Sequence, residues 1–242
     1  MVKRNLMRYV REPRMIVFSS IQPVMFVLLF TYVFGGAIST DTGKYINYLL
    51  PGILVQTVLF GAMMTGVGLA DDLQKGIIDR FRSLPMARSA VLAGRTITES
   101  IRNVFVVLLM TGVGYIVGFR IEHGFLKYGL ALLLTVLFGF VFSWISASIG
   151  LMVKNVEIAQ TAGMIWVFPL AFASSIFVPV QSMAPAVRAF AEHNPISYTV
   201  NTVRALALGT PVGDNIWYTL AWMTGILLVF MPLAVSRYRK IN

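Results

Sequence analysis

Runs of about twenty apolar residues recur along this chain, and they limit its fold more than any other feature. Six can be drawn, at roughly 15–36, 49–70, 103–119, 127–153, 158–180 and 216–235. About 20 apolar residues are what a helix needs to cross a hydrocarbon core of about 30 Å. Lipid offers no partner to a backbone N–H or C=O, so a spanning segment must be helical or belong to a closed barrel. Barrel strands alternate apolar and polar residues, and runs such as FVLLFTYVFGG do not. The expected fold is therefore an all-α membrane protein of six transmembrane helices, forming a single transmembrane domain over 1–242. Composition agrees: 57% of the residues are hydrophobic and 12% charged, against about 25% charged in soluble domains. The first run is too long for a removable signal, no small-residue cleavage site follows it, and similar runs come later.

Lysine and arginine set the expected orientation. An even number of spans puts both termini on one side. Five basic residues precede the first span, six lie between the second and third, one follows the fourth and three end the chain. Only Lys44, Arg120, Lys127, Arg188 and Arg204 lie on the other side. The positive-inside rule then makes both termini cytoplasmic. The same placement absorbs the net charge of +10, so no nucleic-acid partner is needed. With no cysteine, disulfides and thiolate metal sites are excluded.

The segments outside the spans carry their own pattern. Leu6, Tyr9 and Val10, set among Arg and Lys, read either as an interfacial amphipathic helix feeding the first span or as a plain juxtamembrane anchor. After the fifth span the chain is punctuated by proline and amphipathic. Two short external helices are expected there: one near 185–192, stopping before Asn194-Pro195, and one from Ser197 as N-cap to Gly209, with Pro211 just beyond.

Several chemistries are excluded. There is no G-x-x-x-x-G-K-[ST] phosphate loop, and Gly43-Lys44 lacks both the earlier glycine and the following hydroxyl. His123 and His193 have no metal-ligand spacing around them. No G-x-S-x-G elbow is present. Ion-coupled carriers keep a titrating group deep in a span, whereas all ten acids here fall in loops or near span ends. Glu99 and Arg102 form the deepest pair, and at i and i+3 they share a helix face, as expected of a structural ion pair. Gly114 with Gly118, and Ser143 with Ala147, offer small-residue faces for close packing within the chain. Gln56, Thr65, Gln160 and Thr161 are uncharged polar residues that either bond across helices or touch an amphipathic ligand.

The segment KGIIDRFRSLPMARSAVLAGR, at 75–95, lies between the second and third spans. At 100° per residue Ile77, Phe81 and Leu84 share a narrow sector, with Lys75, Asp79 and Arg82 roughly opposite, and Pro85 ends the pattern. Such a helix either rests in the headgroup region or docks a cytoplasmic partner through its apolar stripe.

This segment resembles the one after the second span in type-2 ABC exporter permeases, especially the daunorubicin-resistance-type drug-efflux branch. FVLLFTYVFGGAI, YLLPGILVQTVLFGAMMTGVGLADDLQKG and FVPVQSMAPAVRAFAEHNPISYTVNTVRALALG are similar to that branch too. The resemblance implies six spans with both ends inside, two permease chains (identical or different) and two separate ATPase subunits. ATP and Mg would sit on the ATPase, leaving this chain without cofactor, metal or catalytic residues. It also implies that Ile77, Ile78, Arg80, Phe81, Arg82, Leu84 and Pro85 form the ATPase-contact helix, and that the two short external helices lie near the dimer axis. The implied activity is multidrug export of an amphipathic drug-like molecule or a lipid-type product across a bacterial cell membrane. The alternative is an ion-coupled secondary carrier that works without an ATPase.

Overall fold

A computed structural model describes residues 13–38, 43–76, 88–121, 124–153 and 155–240. Among these residues the chain is helical and contains no strand. The helices are α1 (Pro13–Leu29), α2 (Tyr45–Gln74), α3 (Arg88–Val117), α4 (Phe125–Val153), α5 (Val156–Phe172), α6 (Pro185–His193), α7 (Pro195–Leu208) and α8 (Asn215–Lys240). A π-helical turn, Phe30–Phe34, prolongs α1. Four helices are long and apolar enough to cross a membrane: Tyr45–Gln74, Leu92–Val117, Phe125–Val153 and Asn215–Arg239. Two shorter apolar helices, Ser20–Phe34 and Val156–Phe172, accompany them. The N-terminal segment carrying Leu6, Tyr9 and Val10 lies outside the described residues.

α2 forms the centre of the bundle and packs most extensively on α4, then on α5 and α3. Glycine permits the α2–α4 approach. A Cβ on Gly66 would collide with the Ser146 carbonyl, and one on Gly150 with the Gly66 carbonyl. Backbone then meets backbone, and dispersion contacts replace the hydrophobic drive that lipid cannot supply. Gly114 packs within the chain, against Leu50 of α2. Gly118 plays a different part: it ends α3 at φ +120°.

Three sequence expectations shift. Helix α3 begins at Arg88, well before 103. Its polar first half is helical too, with its hydroxyls satisfied inside the helix: Thr96 donates to the Leu92 carbonyl, Thr98 to that of Gly94 and Ser100 to that of Thr96. The fifth helix ends at Phe172, not near 180. The next residues leave helical geometry because remote side chains take their carbonyls. Asn194 Nδ2 donates to the carbonyls of Leu170 and Ala173, both at 2.8 Å, and the Tyr45 hydroxyl donates to that of Phe177 at 2.7 Å. The N-cap of α7 is Asn194, not Ser197: its Oδ1 accepts from Ile196 N–H at 2.9 Å. Pro195 occupies the first helical position, where a missing N–H costs nothing. Ser197 is inside the helix, and its Oγ accepts from Ser175 N–H at 3.1 Å. Gly209, at φ 70°, closes α7 in the left-handed conformation.

Candidate functional site

Three features are built from the side chains that these helices bring together. The first frames the connection between α2 and α3. The candidate contact residues Ile77, Ile78, Arg80, Phe81, Arg82, Leu84 and Pro85 lie outside the described residues, but the helix ends on either side are described. At the end of α2, Lys75 Nζ reaches Asp71 Oδ2 at 2.7 Å. Arg95 of α3 is ion-paired with Asp72 of α2, each side chain about one-fifth exposed. Gly68 leaves room for that arginine, because a Cβ there would overlap its guanidinium. The pair clamps α2 to α3 beside the connecting segment. Twenty-three positions separate the two residues, so no local spacing announces it.

The second feature is a cavity between α1, α2 and α3, with a volume of about 230 Å³. Glu99 and Arg102 meet beside it, Oε2 to Nε at 2.8 Å, both side chains nearly buried. Arg102 Nη2 then reaches Asn103 Oδ1 at 3.4 Å. Both groups need Gly61, whose Cβ would press on them. Gln22, Gln56, Thr57, Arg102 and Asn103 supply the polar lining; Phe26 and Phe60 are the main apolar walls. Of the polar span residues singled out in the sequence, Gln56 is buried and faces the cavity, and Thr65 is buried elsewhere in α2. Gln160 and Thr161 are exposed on α5. Asn103 and Gln22 were missed as lining residues; the one signal was an asparagine directly after the Glu99–Arg102 pair.

The third feature is a polar knot around Arg204 of α7. Its Nε donates to the Tyr48 carbonyl at 3.0 Å, Nη1 to Asn201 Oδ1 at 2.9 Å and Nη2 to the Ser175 carbonyl at 2.8 Å. The guanidinium lies 3.6 Å from the Tyr48 ring centroid, a cation–π contact. The Tyr48 hydroxyl donates to the same Ser175 carbonyl at 3.0 Å, and Ser175 Oγ to Asn201 Oδ1 at 2.9 Å. Burial lowers the Arg204 pKa from its ordinary value, partly offset by Tyr48; a guanidinium stays protonated in a protein even so. All five donors of the arginine fork cannot be met by one partner, so the knot ties α2, the turn after α5 and α7 together.

Among the described residues no group of three or more His, Cys, Asp or Glu could hold a metal ion. The profile of the ABC-2 type transporter family matches residues 1–208. The chain belongs to the ABC-2 type transporter family. Similarity to individual members extends further along it. It is 35% identical over 239 residues to the daunorubicin resistance ABC transporter permease protein DrrB1 of Streptomyces coeruleorubidus, covering 99% of this chain and 84% of that protein. It is 24% identical over 241 residues to the probable doxorubicin resistance ABC transporter permease protein DrrC of Mycobacterium tuberculosis, covering 98% and 86%. It is also 26% identical over 219 residues to the putative transport permease ycf38 of Cyanophora paradoxa, covering 85% and 72%. As an ABC-2 permease the chain is the membrane subunit of a transporter whose ATPase is a separate subunit.

Proposed function

We propose that this ABC-2 permease exports amphipathic drug-like or lipid-type molecules from the cytoplasm or inner leaflet of a bacterial plasma membrane, driven by ATP hydrolysis on two ATPase subunits. The observation that carries this reading is the similarity, along 99% of the chain, to a daunorubicin resistance permease. Six spans with both termini cytoplasmic are part of it. α1 with its π turn comprises 17 and 5 residues, about 33 Å at 1.5 Å per residue. α5, at 17 residues, reaches about 26 Å and is continued by the turn that the Arg204 knot anchors.

ATP and Mg bind on the ATPase pair, and a second permease chain, identical or different, completes the path. Ile77, Ile78, Phe81 and Leu84 seat in an apolar groove of the ATPase, with Arg80 and Arg82 at its polar rim, and Pro85 turns the chain back toward α3. Closure of the ATPase pair displaces this segment. The Asp72–Arg95 clamp beside it makes α2 and α3 follow as one body. Reconstitution of the permease with its ATPase in sealed vesicles tests the reading, with ATP-dependent movement of a fluorescent amphipathic drug out of the ATPase side as the expected result. Flux that follows an imposed ion gradient and survives ATP depletion would overturn it in favour of a secondary carrier.

A further inference from the structure

Arg102 and Arg204 are served differently. Arg204 has a partner on each of Nε, Nη1 and Nη2. For Arg102, Nε meets Glu99 at 2.8 Å, Nη2 reaches Asn103 Oδ1 only at 3.4 Å, and Nη1 has no hydrogen-bond partner among the described residues. A guanidinium carries five donors in a fixed fork and accepts nothing. Arg102 lines the cavity between α1, α2 and α3 and keeps 12% of its side chain exposed. Gly61, also in the lining, keeps the space beside it open, because a Cβ there would stand 2.5 Å from Nη2. Arg102 lies about 15 Å along α3 from Leu92, where the apolar stretch of that helix begins. Hydrocarbon at that depth offers no acceptor. Donors left over there call for a ligand that brings one.

The surroundings restrict that ligand. Glu99 is outside the cavity lining, yet it already compensates the arginine's charge. A carboxylate or phosphate would lose its hydration for a charge that is taken, so a neutral acceptor fits better. A carbonyl suits, since it accepts on two lone pairs and has no donor of its own to strand. Phe26 and Phe60 flank the cavity, as suits a flat apolar body. The volume of about 230 Å³ falls below the roughly 300 Å³ at which drug-sized pockets begin, so the cavity holds one or two fused rings with a substituent, either a small molecule or the end of a larger one. Gln22 and Met64 in its lining are exposed, which places the mouth on the flank of the bundle.

We propose that this cavity is a ligand site within one permease chain, entered from the side, that takes the carbonyl-bearing end of an uncharged aromatic molecule. The Arg102 guanidinium donates to the ligand carbonyl, and the ligand ring lies along Phe26 and Phe60. The assignment of this ligand as a transport substrate rests on the exporter reading; the site itself does not.

The test is binding of 2-acetylnaphthalene and of 2-isopropenylnaphthalene to the full chain in lipid nanodiscs without nucleotide. Empty nanodiscs are subtracted, and affinities are expressed against probe dissolved in the lipid. The two probes have the same shape, and only the ketone accepts a hydrogen bond. The ketone is expected to bind about tenfold or more tightly, the worth of one hydrogen bond from a charged donor. Glu99→Gln with Arg102→Met removes both charges together, so neither is left buried alone, and it levels the two probes. Gln160→Leu, on the exposed α5 position, leaves the preference unchanged. Equal affinity of the two probes for the unmodified chain overturns the proposal without reference to any variant. A preference that persists in the double variant overturns it as well. So does tighter binding of 2-naphthoate than of the ketone, which would mark an anion site. Arg102-dependent binding without ATP-driven export would instead fault the exporter reading and leave the site standing.

Discussion

Replacing Arg204 with methionine keeps most of the buried stem and removes the guanidinium. Three hydrogen bonds of 2.8–3.0 Å disappear with it, each worth about 1.5–3 kcal/mol net when the donor is charged. The contact with the Tyr48 ring adds about 2 kcal/mol in a desolvated setting. Two effects work in the other direction. The variant no longer buries a charge, which returns several kcal/mol. The abandoned acceptors also keep partners, since the Tyr48 hydroxyl still reaches the Ser175 carbonyl and Ser175 Oγ still reaches Asn201. The balance is a loss of about 3 kcal/mol, at the low end for breaking a buried ionic contact. At about 2–4 °C per kcal/mol for a chain of this size, melting of the detergent-solubilised protein should fall by roughly 6–12 °C. Arg204→Lys should recover only part of this, because an ammonium is a point charge that cannot serve the fork's acceptors at once. Tyr48→Phe keeps the ring and should cost about 1 kcal/mol, the net worth of one neutral hydrogen bond. A melting point for Arg204→Met within about 2 °C of the parent would refute the argument. Full rescue by lysine would show that charge matters and fork geometry does not.

Asn194→Ala removes the α7 cap and both bonds to the end of α5; a loss of about 2–4 kcal/mol is expected from a cap and two neutral bonds, read as protease sensitivity between α5 and α7. Gly66→Leu places a side chain where the Ser146 carbonyl lies, so the folded yield in detergent should collapse, while Gly112→Leu, at an uncrowded α3 position, should be tolerated. Asp72→Asn breaks a partly exposed pair and should change stability by no more than about 1 kcal/mol, yet weaken co-purification of the ATPase. Phe81→Asp with Leu84→Asp should leave the chain in the membrane and release the ATPase in pull-downs; unchanged co-purification would remove the docking claim.

The helices were legible where hydrophobicity continues for twenty residues, because burial in lipid is decided by composition over that length. The polar first half of α3 was not: Thr96, Thr98 and Ser100 look like a loop until their hydroxyls are seen bonded to their own helix. The end of α5 was hidden for the opposite reason. FASSIFVPV is apolar enough to continue a span, but Tyr45, Tyr48, Asn194 and Arg204 capture the carbonyls there from far along the sequence. Ser197 is an acceptable N-cap by local chemistry, and Asn194 displaced it because its amide also closes α5. Of the candidate sites, the apolar stripe at 77–85 is a reading of the sequence alone, since those residues lie outside the described ones. The α1–α2–α3 cavity could not be read there, since its lining comes from three helices and is set by Gly61, whose role depends on what faces it.

The position of Arg204 has a mechanical consequence. From Tyr48 to Asp72 is 24 residues of α2, about 36 Å of helix, gripped at one end by Arg204 and at the other by Arg95. Between the grips, α2 is seated on the backbone of α4 at Gly66, which prevents it from bowing. Pro51 leaves one rung out of the ladder, but this weak turn adjoins the one that Arg204 braces from outside. α2 therefore behaves as a pushrod with a splint at its thin point. On the exporter reading, a stroke delivered by the ATPase near residue 76 would reach α7 at the other end of α2 with little lost to bending.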